Sequence, residues 1–244
     1  MQEAKVRLYV EQPLGPGQPV TLEREQAHYL FNVMRLQPGD AVLLFNGREG
    51  EWRASVEDAG KRGGTLACTE RTRPLQPPPD LWLLFAPVKK ARTDFIVEKA
   101  VELGVARIQP VQTAHTNSER IRPDRLRAHA VEAAEQCGAT VVPEVADLVS
   151  LDRLLSNWPD GRRILWADES RVGAPAVLTK AARAGRGSWA ILIGPEGGFS
   201  QAERARLLAR AEVTPISLGP RILRADTAAV AAITLWQAHL GDWA

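Results

Sequence analysis

Residues 188–208 read SWAILIGPEGGFSQAERARLL. An aliphatic run stops at Gly194-Pro195-Glu196-Gly197-Gly198, and a helix restarts behind it, opened by the capping-box pattern Ser200-Gln201-Ala202-Glu203. A structural turn needs one glycine, two at most. Three glycines, a proline and an acid in five residues indicate a backbone shaped around a ligand. The same grammar returns at 215–229, PISLGPRILRADTAA: an apolar strand, Gly219-Pro220, then a helix. Neither loop is GxGxxG or GxxxxGK[ST], so the dinucleotide and phosphate-loop fingerprints are absent. An acid inside the loop would also repel a phosphate. A ligand with a ribose, amide-like base edges and a positive centre fits better. A single loop of this kind would read as a plain strand–helix turn; two built alike favour a binding site.

Around these loops the second part of the chain alternates strand and helix. LWLLFAPV, RIQPVQ, TVVPEV, RRILWAD, SWAILIG and VTPISLG read as strands. ARTDFIVEKAVELG, PDRLRAHAVEAAEQCG, LDRLLSNW, GAPAVLTKAARAG, SQAERARLLARA and ILRADTAAVAAITLWQAHL read as helices. That alternation means a largely parallel sheet covered on both faces, where ligands bind beyond the carboxyl ends of strands. The first seventy or so residues differ: strands VRLYV, AVLLF, EWRASVE and GTLACTE with tight turns surround one helix at 23–34, whose Ala27, Leu30, Phe31 and Met34 share a face. This is a small β-barrel or curled sheet. RTRPLQPPPD (71–80), with four prolines, is a stiff linker. The expected organisation is a barrel over 1–72, a linker over 73–80 and an α/β domain over 81–244.

The bulk composition excludes more than it selects. In 244 residues, 45% hydrophobic and 25% charged is ordinary for a globular protein. No apolar run approaches a membrane span, and Met1–Lys5 lacks the apolar core of a secretion signal. Cys68 and Cys137 form neither a CxxC motif nor a disulfide framework, which points to a reducing cytoplasm; Cys137 reads as a buried thiol. His28, His115, His129 and His239 lack metal-ligand spacing, so no metal is expected. The net charge of +2 is undiagnostic, but of 31 basic residues only six are lysine. Arginine's planar fork suits RNA, although a GC-rich genome gives the same bias.

LIGPEGGFS (192–200) with SLGPRILRADTA (217–228) resembles the knotted SPOUT methyltransferases, and specifically the RsmE family, which methylates N3 of a uridine in 16S ribosomal RNA of the small subunit. HYLFNVMRLQPGDAVLLFNG (28–47) is similar to that family's N-terminal PUA-like RNA-binding barrel. EKAVELGV (98–105) and EAAEQCGATVVPEV (132–145) match its middle segments. The resemblance covers nearly the whole chain. It implies a SPOUT-type parallel sheet with a C-terminal trefoil knot, S-adenosylmethionine bound bent in the knot, and a homodimer. It places Ile193, Gly194, Glu196 and Gly197 of the first loop, and Leu218, Gly219, Ile222 and Leu223 of the second, around the cofactor.

The chemistry follows independently. A sulfonium methyl donor is already activated, so alignment is the main task. Uridine N3 is a poor nucleophile until its proton leaves, so a base, or a cation stabilising the anion, accelerates transfer. Arg224 and Asp226, just past the second loop, are the catalytic candidates. Many relatives carry Glu at the position of Asp226; the shorter acid serves either as proton acceptor or to orient Arg224. For RNA, the candidates are His28 and Arg35, seven apart and hence on one helical face, with Arg7 and the Lys89-Lys90-Ala91-Arg92 cluster, whose Lys89 and Arg92 suit phosphate contacts. Two alternatives stay open: a methyltransferase of this fold acting on transfer RNA, or a non-catalytic RNA- or ribosome-binding protein. The intact glycine loops argue against the latter and the barrel match against the former.

Overall fold

The computed structural model describes residues 4–60, 63–117, 121–171 and 185–244. The helix expected at 173–185 lies, but for its last residue, outside them. The chain forms two compact units: one of Met1–Pro77 with Ala134–Val142, the other of Pro78–Ala133 with Pro143–Ala244.

In the first unit, β1 (Arg7–Tyr9), β2 (Pro19–Thr21), β3 (Ala41–Phe45), β4 (Glu51–Ala59) and β5 (Gly64–Arg73) form one sheet in the order β1-β3-β4-β5-β2. Only β1 and β3 run parallel. Three register shifts between β4 and β5 bend the sheet over its core of Leu8, Val20, Leu30, Val42, Leu44 and Leu66. The short edge strand β2 was not anticipated; three residues carry too little pattern to read. The expected helix exists as α1 (Arg24–Ala27) running into a π-helical turn, His28–Val33. Ala27 and Leu30 are buried there, with Phe31 and Met34 packed against the same core.

This unit gives Arg7 a different use from the expected RNA contact. Its guanidinium donates to Glu51 (2.7 Å) and to the carbonyls of Ala134 (2.7 Å), Glu135 (3.0 Å) and Ala139 (2.9 Å), and it stacks on Phe45 at 4.4 Å. The segment 134–142, which sequence reading assigned wholly to the second domain, is thereby fastened to β1. Glu51 is 3% exposed, and burial alone would raise its pKa. Hydrogen bonds from Arg73, Arg7 and Thr72 outweigh burial and bring it to about 2.

The second unit contains β6 (Leu81–Phe85), α2 (Lys90–Glu102), β7 (Arg107–Gln112), α3 (Pro123–Cys137, up to Ala133), β8 (Glu144–Val145), β9 (Val149–Ser150), α4 (Leu151–Ser156), β10 (Arg163–Ala167), β11 (Trp189–Ile193), α5 (Gln201–Leu208), β12 (Val213–Ile216) and α6 (Ala225–Leu240). The sheet order is β12-β10-β11-β6-β7-β8, with β9 also on β7, and every pairing is parallel. WAILI of β11 is buried at every position, as a strand between two covered faces must be. The strand expected over 140–145 shrinks to β8, because residues up to Val142 pack with the first unit. Cys137, expected buried, is exposed at the last residue of α3. On the apolar α6, the one fully buried amide, Gln237, donates to the carbonyl of Leu103 at 2.6 Å. No helix among the described residues is long and apolar enough to cross a membrane.

Candidate active site

Strands β12, β10 and β11 lie side by side, and their carboxyl ends open into three loops that enclose a cavity of about 290 Å³. Its walls are Ala167, Asp168 and Glu169 after β10; Ile193 to Glu196 and Gly198 after β11; and Ser217 to Gly219 with Arg221 to Ala225 after β12, closed by Ala228.

The first glycine loop is tied on several sides. The amide of Gly198 donates to Pro195 O (2.9 Å), and Gly198 sits at φ +66°, a conformation that favours glycine. A Cβ on Gly194 would lie 2.6 Å from the Phe199 ring, which packs edge-on against Trp166 at 5.6 Å. The capping box forms as expected: Glu203 N donates to Ser200 Oγ (3.3 Å), and Ser200 N to Glu203 Oε2 (2.8 Å). Behind it, Arg204 of α5 grips Asp168 with two bonds of 2.8 and 3.1 Å, and Ser170 adds two more. Burial would raise the Asp168 pKa, but these bonds outweigh it and hold the carboxyl below its usual range.

The second loop is tied sparsely. Ser217 Oγ meets the Gly219 amide at 3.3 Å and carbonyl at 3.4 Å, both long. Gly219 adopts φ +110° with nothing within 4 Å of where a Cβ would be. Ile222 is 77% exposed. Arg224 caps α6 through its backbone and belongs to the cavity wall; its exposed side chain makes no hydrogen bond or ion pair among the described residues.

Of the eight residues expected around the cofactor, seven line the cavity. Gly197 does not; its Cβ direction faces His115, 3.1 Å away, and Gly198 takes its place on the wall. Asp226 stands in the first turn of α6, off the cavity wall, and pairs with Arg92 Nε at 3.7 Å. The orienting contact to Arg224 is therefore replaced by one to Arg92. Arg92 also meets Glu196 at 3.2 Å, so the guanidinium expected on RNA phosphate bridges two carboxylates of the site. Lys89 is exposed, its side chain without a partner among the described residues. His28 is exposed and bonds Asn32 (3.0 Å). The shared helical face with Arg35 is absent: the π turn breaks the 3.6-residue period, and Arg35 follows it at φ +58°.

Asp168 and its neighbours were missed, though the signal was present. RILWADES ends a strand of the same sheet, and the rule that ligands sit beyond strand carboxyl ends nominates that position. The cavity suits the cofactor that the resemblance implies. Ile193, Leu218, Leu223 and Ala228 offer apolar surface to an adenine, and loop backbone offers amides and carbonyls to its edges. Glu169 and Glu196 supply acids for ribose hydroxyls and a cationic centre. Among the described residues, no group of three or more His, Cys, Asp or Glu is placed to hold a metal ion.

Fold and site together define a SPOUT-class α/β methyltransferase with an N-terminal PUA-like unit. The RNA methyltransferase domain family matches residues 76–237, and the RNA methyltransferase PUA domain family residues 22–66. A Ribosomal RNA small subunit methyltransferase E from Synechocystis is 30% identical, over 88% of this chain and 71% of that one. Its counterpart from Rickettsia conorii is 28% identical over 93% of each. A crystal structure of Ribosomal RNA small subunit methyltransferase E from Neisseria gonorrhoeae, bound to S-adenosyl methionine, superposes with a TM-score of 0.87 at 28% identity, covering 98% of this chain and 99% of that one. The chain belongs to the RNA methyltransferase family, among the ribosomal RNA small subunit methyltransferases E.

Proposed function

We propose that this protein is an S-adenosylmethionine-dependent methyltransferase acting on N3 of a uridine in 16S ribosomal RNA, as a cytoplasmic homodimer with the trefoil knot of its class. The observation that carries the reading is Arg224, a residue on the wall of an acid-edged cavity built from two glycine loops, its exposed side chain without a partner among the described residues. When bound, S-adenosylmethionine supplies a methyl group already activated for attack. The protein's own work is alignment and charge. The N3 proton must leave as the N3–carbon bond forms, and the fork of Arg224 stabilises the uridine anion against its carbonyl oxygens. Arg92 pairs with both Glu196 and Asp226; Asp226, the acid of α6 two residues past Arg224, is the candidate to take the proton. Lys89, exposed at the head of α2, suits a phosphate of the RNA. The apolar α6, with half-buried Val230 and Ala231, is the face we assign to the two-fold interface.

The test is transfer of labelled methyl groups to purified small subunits lacking the modification, followed by nucleoside analysis. The expected product is 3-methyluridine at one position. Transfer to transfer RNA instead, or RNA binding without transfer, would replace the reading with one of its two alternatives.

A further inference from the structure

The carbonyls of Gly197 and Gly198 both meet one atom: Nδ1 of His115, at 3.0 and 3.2 Å. A carbonyl oxygen can only accept, so Nδ1 must carry the proton and donate to both. His115 comes from the turn after β7, which is itself locked. Thr113 N donates to Thr116 Oγ1 (2.9 Å), and the two threonine hydroxyls lie 2.8 Å apart. The preceding residue, Ala114, donates its amide to Glu203 Oε1 at 2.8 Å, the acid whose other oxygen caps α5. Two adjacent residues thus grip the glycine loop and the helix behind it. The same geometry explains Gly197. A Cβ there would meet Cβ of His115 at 3.1 Å, so its glycine serves close approach to the imidazole and not to the cavity.

We propose that His115 is a positioning residue: its Nδ1–H fixes the Gly197–Gly198 carbonyls and so sets the shape of the wall that Glu196 and Gly198 present to the cofactor. The inference rests on the reading of the cavity as the S-adenosylmethionine site. Asparagine can place an amide N–H where Nδ1 stands, whereas glutamine reaches only the position of Nε2. His115→Ala and His115→Gln should therefore weaken S-adenosylmethionine binding about three- to tenfold by calorimetry, the worth of a hydrogen bond, with His115→Asn restored to within about twofold of wild type. On the unaltered protein, imidazole nitrogen NMR should report the Nδ1–H tautomer for His115 without cofactor present. An Nε2–H tautomer, or asparagine no better than glutamine, overturns the proposal. Wild-type protein that fails to bind S-adenosylmethionine would instead sink the reading of the cavity, and the tautomer would still decide the role of His115.

Discussion

The two glycine loops look alike in sequence and are built differently. The first, Gly194–Ser200, is fastened by its own turn, by Phe199 in the core, by the Ser200–Glu203 capping box and by His115. The second, Ser217–Arg224, has two long bonds to Ser217, an exposed Ile222 and an arginine with no partner among the described residues. One wall of the cavity is made in advance of any ligand; the other keeps its polar and apolar groups unspent. A preformed wall limits the ordering that binding must cost, and an unspent guanidinium keeps its interaction for the reacting base.

The largest expected effect falls on the unspent side. Arg224→Ala should slow single-turnover methyl transfer about 10²–10³-fold, the loss seen when one preorganised donor is removed, with cofactor affinity unchanged. Arg224→Lys should recover part of it, keeping charge without the fork. Asp226→Asn should fall less, since its carboxylate faces Arg92. A loss of 10² or more for Asp226→Asn, partly rescued at higher pH, would make that acid the base.

Next come the ties of the first loop. Asp168 is 4% exposed and held by Arg204, so Asp168→Asn should cost about 3 kcal/mol in denaturant unfolding at pH 7, as breaking a buried pair does. Its folded pKa is lowered, so this stabilisation is full above the ordinary value of 3.8 and is lost as pH falls below it through the folded value. The deficit of the mutant should therefore shrink on acidification. A deficit constant down to pH 2 would mean that it does not come from the ionised carboxylate.

The glycines separate the loops more finely. Gly194→Ala drives a methyl into Phe199 and should destabilise by about 1–3 kcal/mol, relieved when Phe199 is shortened to leucine. Gly219→Ala meets no neighbour within 4 Å and should cost about 1 kcal/mol through its positive φ alone, with no partner mutation that relieves it. Relief of Gly219→Ala by a second substitution would show that this loop, too, is packed.

These differences mark what the sequence could convey. The alternation of strand and helix, the capping box at Ser200 and the two loops were legible because each has a local pattern: an apolar run, a cap, a glycine cluster. Seven of the eight expected lining residues follow from that pattern together with the family resemblance. What was not legible depends on partners distant in sequence. Nothing near Arg7 announces the carbonyls at 134–139 that occupy it, and nothing near Arg92 announces Glu196 and Asp226. The π turn at His28–Val33 defeated the helical spacing of His28 and Arg35, because a seven-residue interval marks one face only at the ordinary period. Gly197 lies in the expected loop but off the cavity wall, toward His115, and a glycine's missing side chain has no direction in a sequence.

The contrast between a preformed wall and an unspent one is tested most directly by backbone hydrogen exchange with and without S-adenosylmethionine. The amides of Gly198 and Ser200, which donate to Pro195 O and Glu203 Oε2, should exchange slowly in the free protein and change little. Those of 217–224 should exchange faster when free and become protected on addition of the cofactor. Equal protection of both loops, or protection confined to the first, would contradict the account.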